Sequence, residues 1–503
     1  MAKAARVETV FSVLLLPLLS AWAQTPGTFT PTGYMTSPRA GHTATLLLNG
    51  KVLIAGGDSP CIGQIACPAA GFQPLASAEL YDPLTGAFAA AGSMALPRYG
   101  HQATLLADGT VLIVGNQNDS TGVSDGRVER YDPSTGTFSV AGDIGALACP
   151  DNWSIATLLP DGRVLIGRGC APPVSSGAAT LYDPVAGTFS PTGAPVWVHN
   201  EPVASLLADG TVLIVEGRDF ACEITGVGPT QGPTPCGGDE IYNPTTGAFA
   251  ATGAVSGDPY RGDPTANLLP NGLILVAGGD GGNDIVRSAE LYDPSSGTFA
   301  PTANMSVSRV GQSATTLPDG TVLVAGGGST NIGVASSVDL YLPFSGTFAP
   351  AGNMTLPRVG FASVLLNDGS LLLTGGEPYP QSAELYRPAN LVPAPVLFTI
   401  GGNQGAVWST KTGQLVTPGA PAGAGDVLAM YTTNLIEGGL IPPRVFLGGL
   451  TAPVLYFGDA PGYPGYFQVN FQVPDVGTGA IPLVLRYLER SSNSVVIQTH
   501  GRD

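Results

Sequence analysis

The chain is poor in positive charge and nearly devoid of lysine. Only 11% of its 503 residues are charged, Lys+Arg number 20 against 37 Asp+Glu, and the formal net charge is −17. Past Lys3, the lysines are Lys51 and Lys411. Phosphate backbones and anionic lipid surfaces are held by basic stripes, so neither nucleic acid nor an acidic membrane is expected as a partner. Long hydrophobic runs are scarce as well. Val10–Leu19 is one, interrupted by Pro17, and it is too short to span a bilayer. With Lys3 and Arg6 ahead of it and Ala21-Trp22-Ala23 behind, residues 1–23 read as a secretory signal. No cysteine follows Ala23 directly, so no lipid anchor is expected, and no later stretch suggests membrane insertion. The expected protein is exported, secreted or periplasmic, and a monomer.

Cysteine is sparse and lacks any CxxC spacing. The six fall in local pairs, Cys61 with Cys67, Cys149 with Cys170, and Cys222 with Cys236. In an oxidising compartment these read as disulfides that staple loops, although other pairings are formally open. No G-x-S-x-G elbow, HExxH, P-loop or sialidase Asp-box occurs. The loop Gly279–Asp284 has a superficially calcium-like composition but reads as a solvated Gly/Asp turn. No metal and no cofactor are expected.

Glycine and proline are abundant, at 70 and 45 residues, and they recur in register. A cassette R-x-G-x-x-A-T-x-L-x-D-G-T-V-L-x-x-G-G, then A-E-L-Y-D-P-x-x-G-T-F, repeats with its Tyr at Tyr81, Tyr131, Tyr182, Tyr242, Tyr292, Tyr341 and Tyr386. A period near 50 residues built from short strands and turns predicts an all-β, seven-bladed β-propeller over residues 24–390. Each cassette reads as four strands. Asp-Gly or Asn-Gly predicts a two-residue hairpin turn between the first and second, and Asp-Pro-x-x-Gly a turn between the third and fourth. Phe29 precedes the first full repeat, and Tyr386 has no G-T-F after it. The strand around Thr28–Thr32 is therefore expected to complete the last blade.

The glycine pairs Gly56-Gly57, Gly278-Gly279, Gly326-Gly327 and Gly375-Gly376, each followed by the Y-x-P turn, resemble kelch repeats, most of all those of the galactose oxidase and glyoxal oxidase group. That resemblance implies the propeller, and in the oxidases a copper ion with a Cys-linked tyrosyl radical. Cys149 stands where the cross-linking Cys would be. The partner Tyr falls on Glu201, and the adjacent Tyr-His pair falls on Gly360 and Phe361. Copper needs several converging imidazole or phenolate ligands, and four histidines, none after a Tyr, do not supply them. The expectation is a kelch propeller without the copper site.

After Pro388–Pro395 the cassette stops. Seven short strand-like runs follow, which suggests a small Ig-like β-sandwich over residues 391–503. Ala452–Tyr456 and Val469–Pro474 are similar to a C-terminal module of secreted acidobacterial-type proteins, a resemblance that implies no activity.

Ten residues before each Asp-Gly or Asn-Gly stand Arg39, Arg98, Asp151, His199, Arg261, Arg309 and Arg358. Such a ring could bind anions. Two residues before each anchor Tyr stand Glu79, Glu129, Thr180, Glu240, Glu290, Asp339 and Glu384. Every repeat with the Arg has the carboxylate, and the third repeat has neither, so structural Arg–carboxylate pairs are the favoured reading. Departures from the consensus gather in the third to fifth repeats: Asp151, Asn152, Trp153, Arg168, Trp197, His199, Glu201, Tyr260, Arg261 and Asp263. Aromatic and mixed polar groups of this kind suit an extracellular glycan or protein, and a binding or scaffold role without catalysis is expected. The alternative is a sugar-acting enzyme of isomerase or mutarotase type, with Asp151, His199, Glu201 and Arg261 as acid, base and anion-holding groups.

Overall fold

The computed structural model describes residues 27–60, 72–115, 126–145, 154–168, 179–196, 202–215, 238–255, 261–281 and 284–501. Every regular element among them is a strand. Seven antiparallel sheets, the blades, follow the seven cassettes. Their innermost strands are Thr43–Leu46, Gln102–Leu105, Ser154–Leu158, Val203–Leu206, Thr265–Leu268, Ser313–Thr316 and Ala362–Leu365. Each lies beside the next, and the last lies beside the first, so the ring is closed.

The seventh blade takes strands from both ends of the propeller. Thr28–Pro31 pairs antiparallel with Ala383–Arg387, with Phe29 opposite Tyr386. No blade edge is left open between the first and the seventh. The second strand of six blades, such as Val52–Ala55 or Val111–Val114, is buried at every residue, and in the third blade Gly167 is partly exposed. Blades pack on both faces of these strands, which is why the sequence there is a near-continuous run of Val, Ile, Leu and Ala rather than alternating.

The Asp-Gly turns differ from the two-residue hairpins expected. Leu106 N donates to Thr110 O at 2.8 Å, and Gly109 N donates to Leu106 O at 3.1 Å. Gly109 is left-handed at φ 85, and Asp108 is not. This is a three-residue loop, a type I turn closed by a left-handed glycine. The Asp serves as an acceptor instead, taking the Thr110 N–H on Oδ1 at 3.0 Å. Across the third and fourth strands, each anchor Tyr stacks on the G-T-F or G-A-F Phe, with ring centroids 4.8 Å apart for Tyr81 and Phe88.

The C-terminal region forms two sheets over one core. Val427–Thr432 and Phe467–Gln472 belong to one. Arg444–Leu447, Gly479–Tyr487 and Val495–His500 belong to the other. Leu428, Met430, Val469 and Phe471 meet Val445, Leu447, Leu483, Leu485 and Ile497 between them. Phe467–Gln472 alternates buried and partly buried residues, as a half-covered strand should. The short strands Thr399–Gly401, Gln404–Gly405, Ala422–Gly423 and Arg490–Ser491 join the second of these sheets at its edges.

Candidate functional site

Antiparallel order gives the propeller two unlike rims. The short turns, first-to-second and third-to-fourth strand, share one. The second-to-third connections and the links between blades share the other. The C-terminal sheets sit on the short-turn rim. Leu440 N donates to Pro270 O at 2.7 Å, and Ala394 N to Asn367 O at 2.7 Å. Arg444 and Arg486 reach the innermost strands, donating to Leu158 O at 3.2 Å and Leu105 O at 3.3 Å.

The cassette arginines stand on the opposite rim, in or at the end of the segment leading to each first strand rather than on that strand. All five are engaged within their own blades. Arg39 Nη2 lies 2.9 Å from Glu79, Arg98 Nη2 3.0 Å from Glu129, and Arg261 Nη2 3.3 Å from Glu290. Arg309 Nη2 lies 2.9 Å from Asp339, and Arg358 Nε 2.9 Å from Glu384. Each is buried. Other donors reach the same blade: Arg39 Nη1 donates to Gly56 O at 2.7 Å and Ser77 O at 2.8 Å, and Nη2 to Ser77 Oγ at 2.9 Å. Burial pulls Arg39 and Arg309 below the ordinary guanidinium pKa, against the opposing pull of Glu79 and Asp339.

The glycine pair serves the seam between blades. Gly57 N donates to Arg98 O at 2.8 Å, Gly279 N to Arg309 O, Gly327 N to Arg358 O, and Gly376 N to Arg39 O. A Cβ on Gly375 would stand 2.3 Å from Arg39 O, and φ there is +63, so only glycine allows the next blade this close. Beside that contact, His42 fills the space over Gly375, and His101 that over Gly56. Their Nε2 atoms bond Thr374 Oγ1 at 2.9 Å and Thr43 Oγ1 at 3.0 Å. Burial first, and then nearby arginines, push both imidazoles down to about 3.

Of the residues singled out in sequence, Asp151, Asn152, Trp153, Trp197, His199, Glu201 and Tyr260 lie outside the described residues, as do all six cysteines. Arg168 ends the second strand of the third blade, opposite Ser154. Arg261 is buried in its pair with Glu290. Asp263 is exposed two residues on, with a left-handed φ of 52.

A central cavity of about 910 Å³ is lined by the innermost strands of all seven blades. Six blades present Thr45, Thr104, Thr157, Ser205, Asn267 and Thr315 at one equivalent position, and the seventh has Val364 there with Ser363 just before it. The charged groups that sequence reading missed come from the C-terminal sheets: Arg444, Arg486 and Glu489 also line this cavity. They lie outside the repeat, and only long-range folding brings them to the channel.

A profile for the Kelch motif matches residues 267–306, the span of the fifth blade. With the same cassette in all seven blades, the chain is a kelch-type β-propeller. It shares the fold of a solved fungal alcohol oxidase of the AA5 family, described as having catalytic diversity and as being in complex with copper. The TM-score is 0.60 at 15% identity, covering 95% of this chain and 100% of that chain. No curated protein matches the chain in sequence. Copper belongs to that oxidase. Here, no group of three or more His, Cys, Asp or Glu among the described residues could hold a metal ion. Phe361, where the oxidase resemblance would place a His, instead packs over Gly326.

Proposed function

We propose that this is an exported binding protein that engages a glycan or a protein through the rim opposite its C-terminal sandwich, without catalysis. The observation that supports this is the asymmetry of the rims. One is occupied by the C-terminal sheets, which we read as an Ig-like accessory module. The other begins and ends every long connection of the propeller. The described neighbours of the irregular segments, Gly145 and Ser154 on one side and Val196 and Pro202 on the other, belong to that open rim. The cassette arginines are committed to Glu and Asp inside the blades, so recognition falls to the departures from the cassette. Aromatic side chains among mixed polar groups supply the flat apolar contact and directed hydrogen bonds that sugars and peptides need.

The test is a glycan array and an affinity capture with the exported protein, repeated with Trp153→Ala, Trp197→Ala and Glu201→Gln combined. Binding that the triple variant loses, with unchanged thermal stability and no turnover of the bound sugar, is the expected result. Turnover of a sugar acid that His199→Ala and Glu201→Gln abolish would replace this reading with the enzymatic one.

A further inference from the structure

Arg444 and Arg486 are direct partners on neighbouring antiparallel strands of the C-terminal sandwich. Like charges placed opposite one another repel, and both arginines line the propeller's central cavity. Burial first lowers the Arg444 pKa; Glu489 works against that, and Arg486 adds to it. Two cations thus share Glu489, while the other carboxylates lining the cavity, Asp161 and Asp209, are engaged by Arg163 and by Thr211.

Neither arginine uses up its five donors. Arg444 Nη2 donates to Leu158 O. Arg486 donates to Leu105 O and to Glu489 Oε2, while its Nε is buried without a hydrogen-bond partner, on a side chain only 4% accessible. Glu489 has 68% of its side chain accessible and lines the cavity. The two arginines hold its carboxyl below the usual range.

The turn that delivers Glu489 is strained. Tyr487 pairs with Arg490, and the two residues between them, Leu488 and Glu489, are both left-handed, at φ 49 and 60. Hairpins of this kind select Asn and Gly. Leucine and glutamate there cost on the order of 1 kcal/mol each, and strain of this sort concentrates at ligand sites. Above the turn stands the ring of Thr, Ser and Asn hydroxyls and amides, in which Asn267 Oδ1 also has no partner among the described residues.

We propose that the channel floor made by Arg444, Arg486 and Glu489 is a binding site for a small hydroxylated monocarboxylate. Its carboxylate bridges the opposed guanidiniums, as fork geometry favours, and its hydroxyls meet the ring of polar side chains. Glu489 sets the preference for a single negative charge and repels a second. The cavity is within the size range of small-molecule sites. This site is distinct from the open rim and stands without it.

The experiment is titration calorimetry on the full exported chain with gluconate and glucuronate, against glucose and acetate. Saturable binding of at least one hydroxy acid, weaker binding of acetate and none of glucose is expected. Arg444→Gln should weaken binding about tenfold or more, the loss of one charge-assisted contact. Glu489→Gln should tighten it several-fold and admit dianions such as glucarate. Because Arg444→Gln could loosen the docked sandwich, Glu489→Gln carries the decision: it removes a strained, cavity-lining carboxylate and leaves both blade contacts in place. No saturable binding by the folded wild-type chain, or affinities that Glu489→Gln leaves unchanged, would overturn the site and reduce the arginines to clamps on Leu105 and Leu158. Loss of binding only in the Trp153, Trp197 and Glu201 triple variant would move the ligand to the rim.

Discussion

The Arg39 guanidinium and the Glu79 carboxylate meet at 2.9 Å with both side chains shut off from solvent. Glu79 also takes the backbone N–H groups of Thr36 at 2.6 Å and Ser37 at 3.0 Å. It therefore ties the link between blades to the third strand of its own blade. Removing one partner of such a pair strands a buried charge, at a cost of about 3–5 kcal/mol. Glu79→Ala is expected to lower the unfolding free energy by that amount in denaturant titration. A near-neutral result would return the arginine ring to the role of a ligand site.

Four blades join their neighbours by a Thr–Tyr hydrogen bond at the outer strands. Thr32 bonds Tyr81 at 3.0 Å, Thr192 bonds Tyr242 at 2.9 Å, Thr252 bonds Tyr292 at 2.8 Å, and Thr302 bonds Tyr341 at 3.0 Å. At the same place the first blade has Ala91, and the Tyr131 hydroxyl it faces is buried without a partner. The other blades show that the position accepts Thr. Ala91→Thr is expected to stabilise the fold by about 1 kcal/mol, the net worth of one hydrogen bond. The check is a thermal or denaturant midpoint against wild type; a lowered midpoint would mean that the extra atoms overpack the site.

His42 and His101 make the propeller acid-sensitive. Their folded pKa values, about 3, lie below the ordinary imidazole value, so the unfolded chain binds more protons between the two. Their contribution is complete above pH 6.5 and is lost as pH falls from 6.5 toward 3, by at most about 1.4 kcal/mol per pH unit for each histidine. Gln312 occupies the equivalent place in the sixth blade, donating to Ala277 O at 3.0 Å. His101→Gln should therefore flatten the dependence of the denaturation midpoint between pH 7 and pH 4.5 relative to wild type. Equal slopes for the two proteins would show that His101 does not titrate on unfolding.

The fold was legible because its determinants are local and repeated. Seven Tyr anchors, seven Asp-Gly or Asn-Gly turns and the Arg–carboxylate coincidence each appear in register, and each corresponds to a contact made within one blade or with the next. Turn chemistry was less legible. Asp-Gly supports both a two-residue and a three-residue loop, and the choice rests on whether Asp takes a left-handed φ or caps the turn, as Asp108 does. The role of Gly-Gly was visible only in part, because the group that approaches Gly375 is the Arg39 carbonyl, 336 residues away in sequence. Arg444, Arg486 and Glu489 gave no signal at all. They lie outside the repeat, and nothing in their local sequence says that the sandwich would present them to the channel.

The seventh blade depends on a strand that the chain supplies far from the rest of that blade. Phe29 stacks on Tyr386 with ring centroids 4.8 Å apart, and the Thr28–Pro31 backbone covers the outer edge of Ala383–Arg387. Gly27 lies so close that a Cβ would stand 2.4 Å from the Tyr386 ring. In the other blades the fourth strand follows the third directly through a tight turn, so it re-forms as fast as it frays. Here the strand must return without that tether, and a bare edge of hydrogen-bonding groups is a template for another chain. An exported chain that begins at Gly33 is expected to show a lower thermal midpoint and concentration-dependent association in sedimentation. A synthetic peptide spanning residues 24–32, added in excess, should restore the monomer by filling the edge. Phe299→Ala makes the chemically matched change in the fifth blade. It should cost stability without causing association, because its strand stays tethered by the Asp293–Gly297 turn. A truncated chain that sediments as a monomer at all concentrations would show that the closing strand covers no reactive edge.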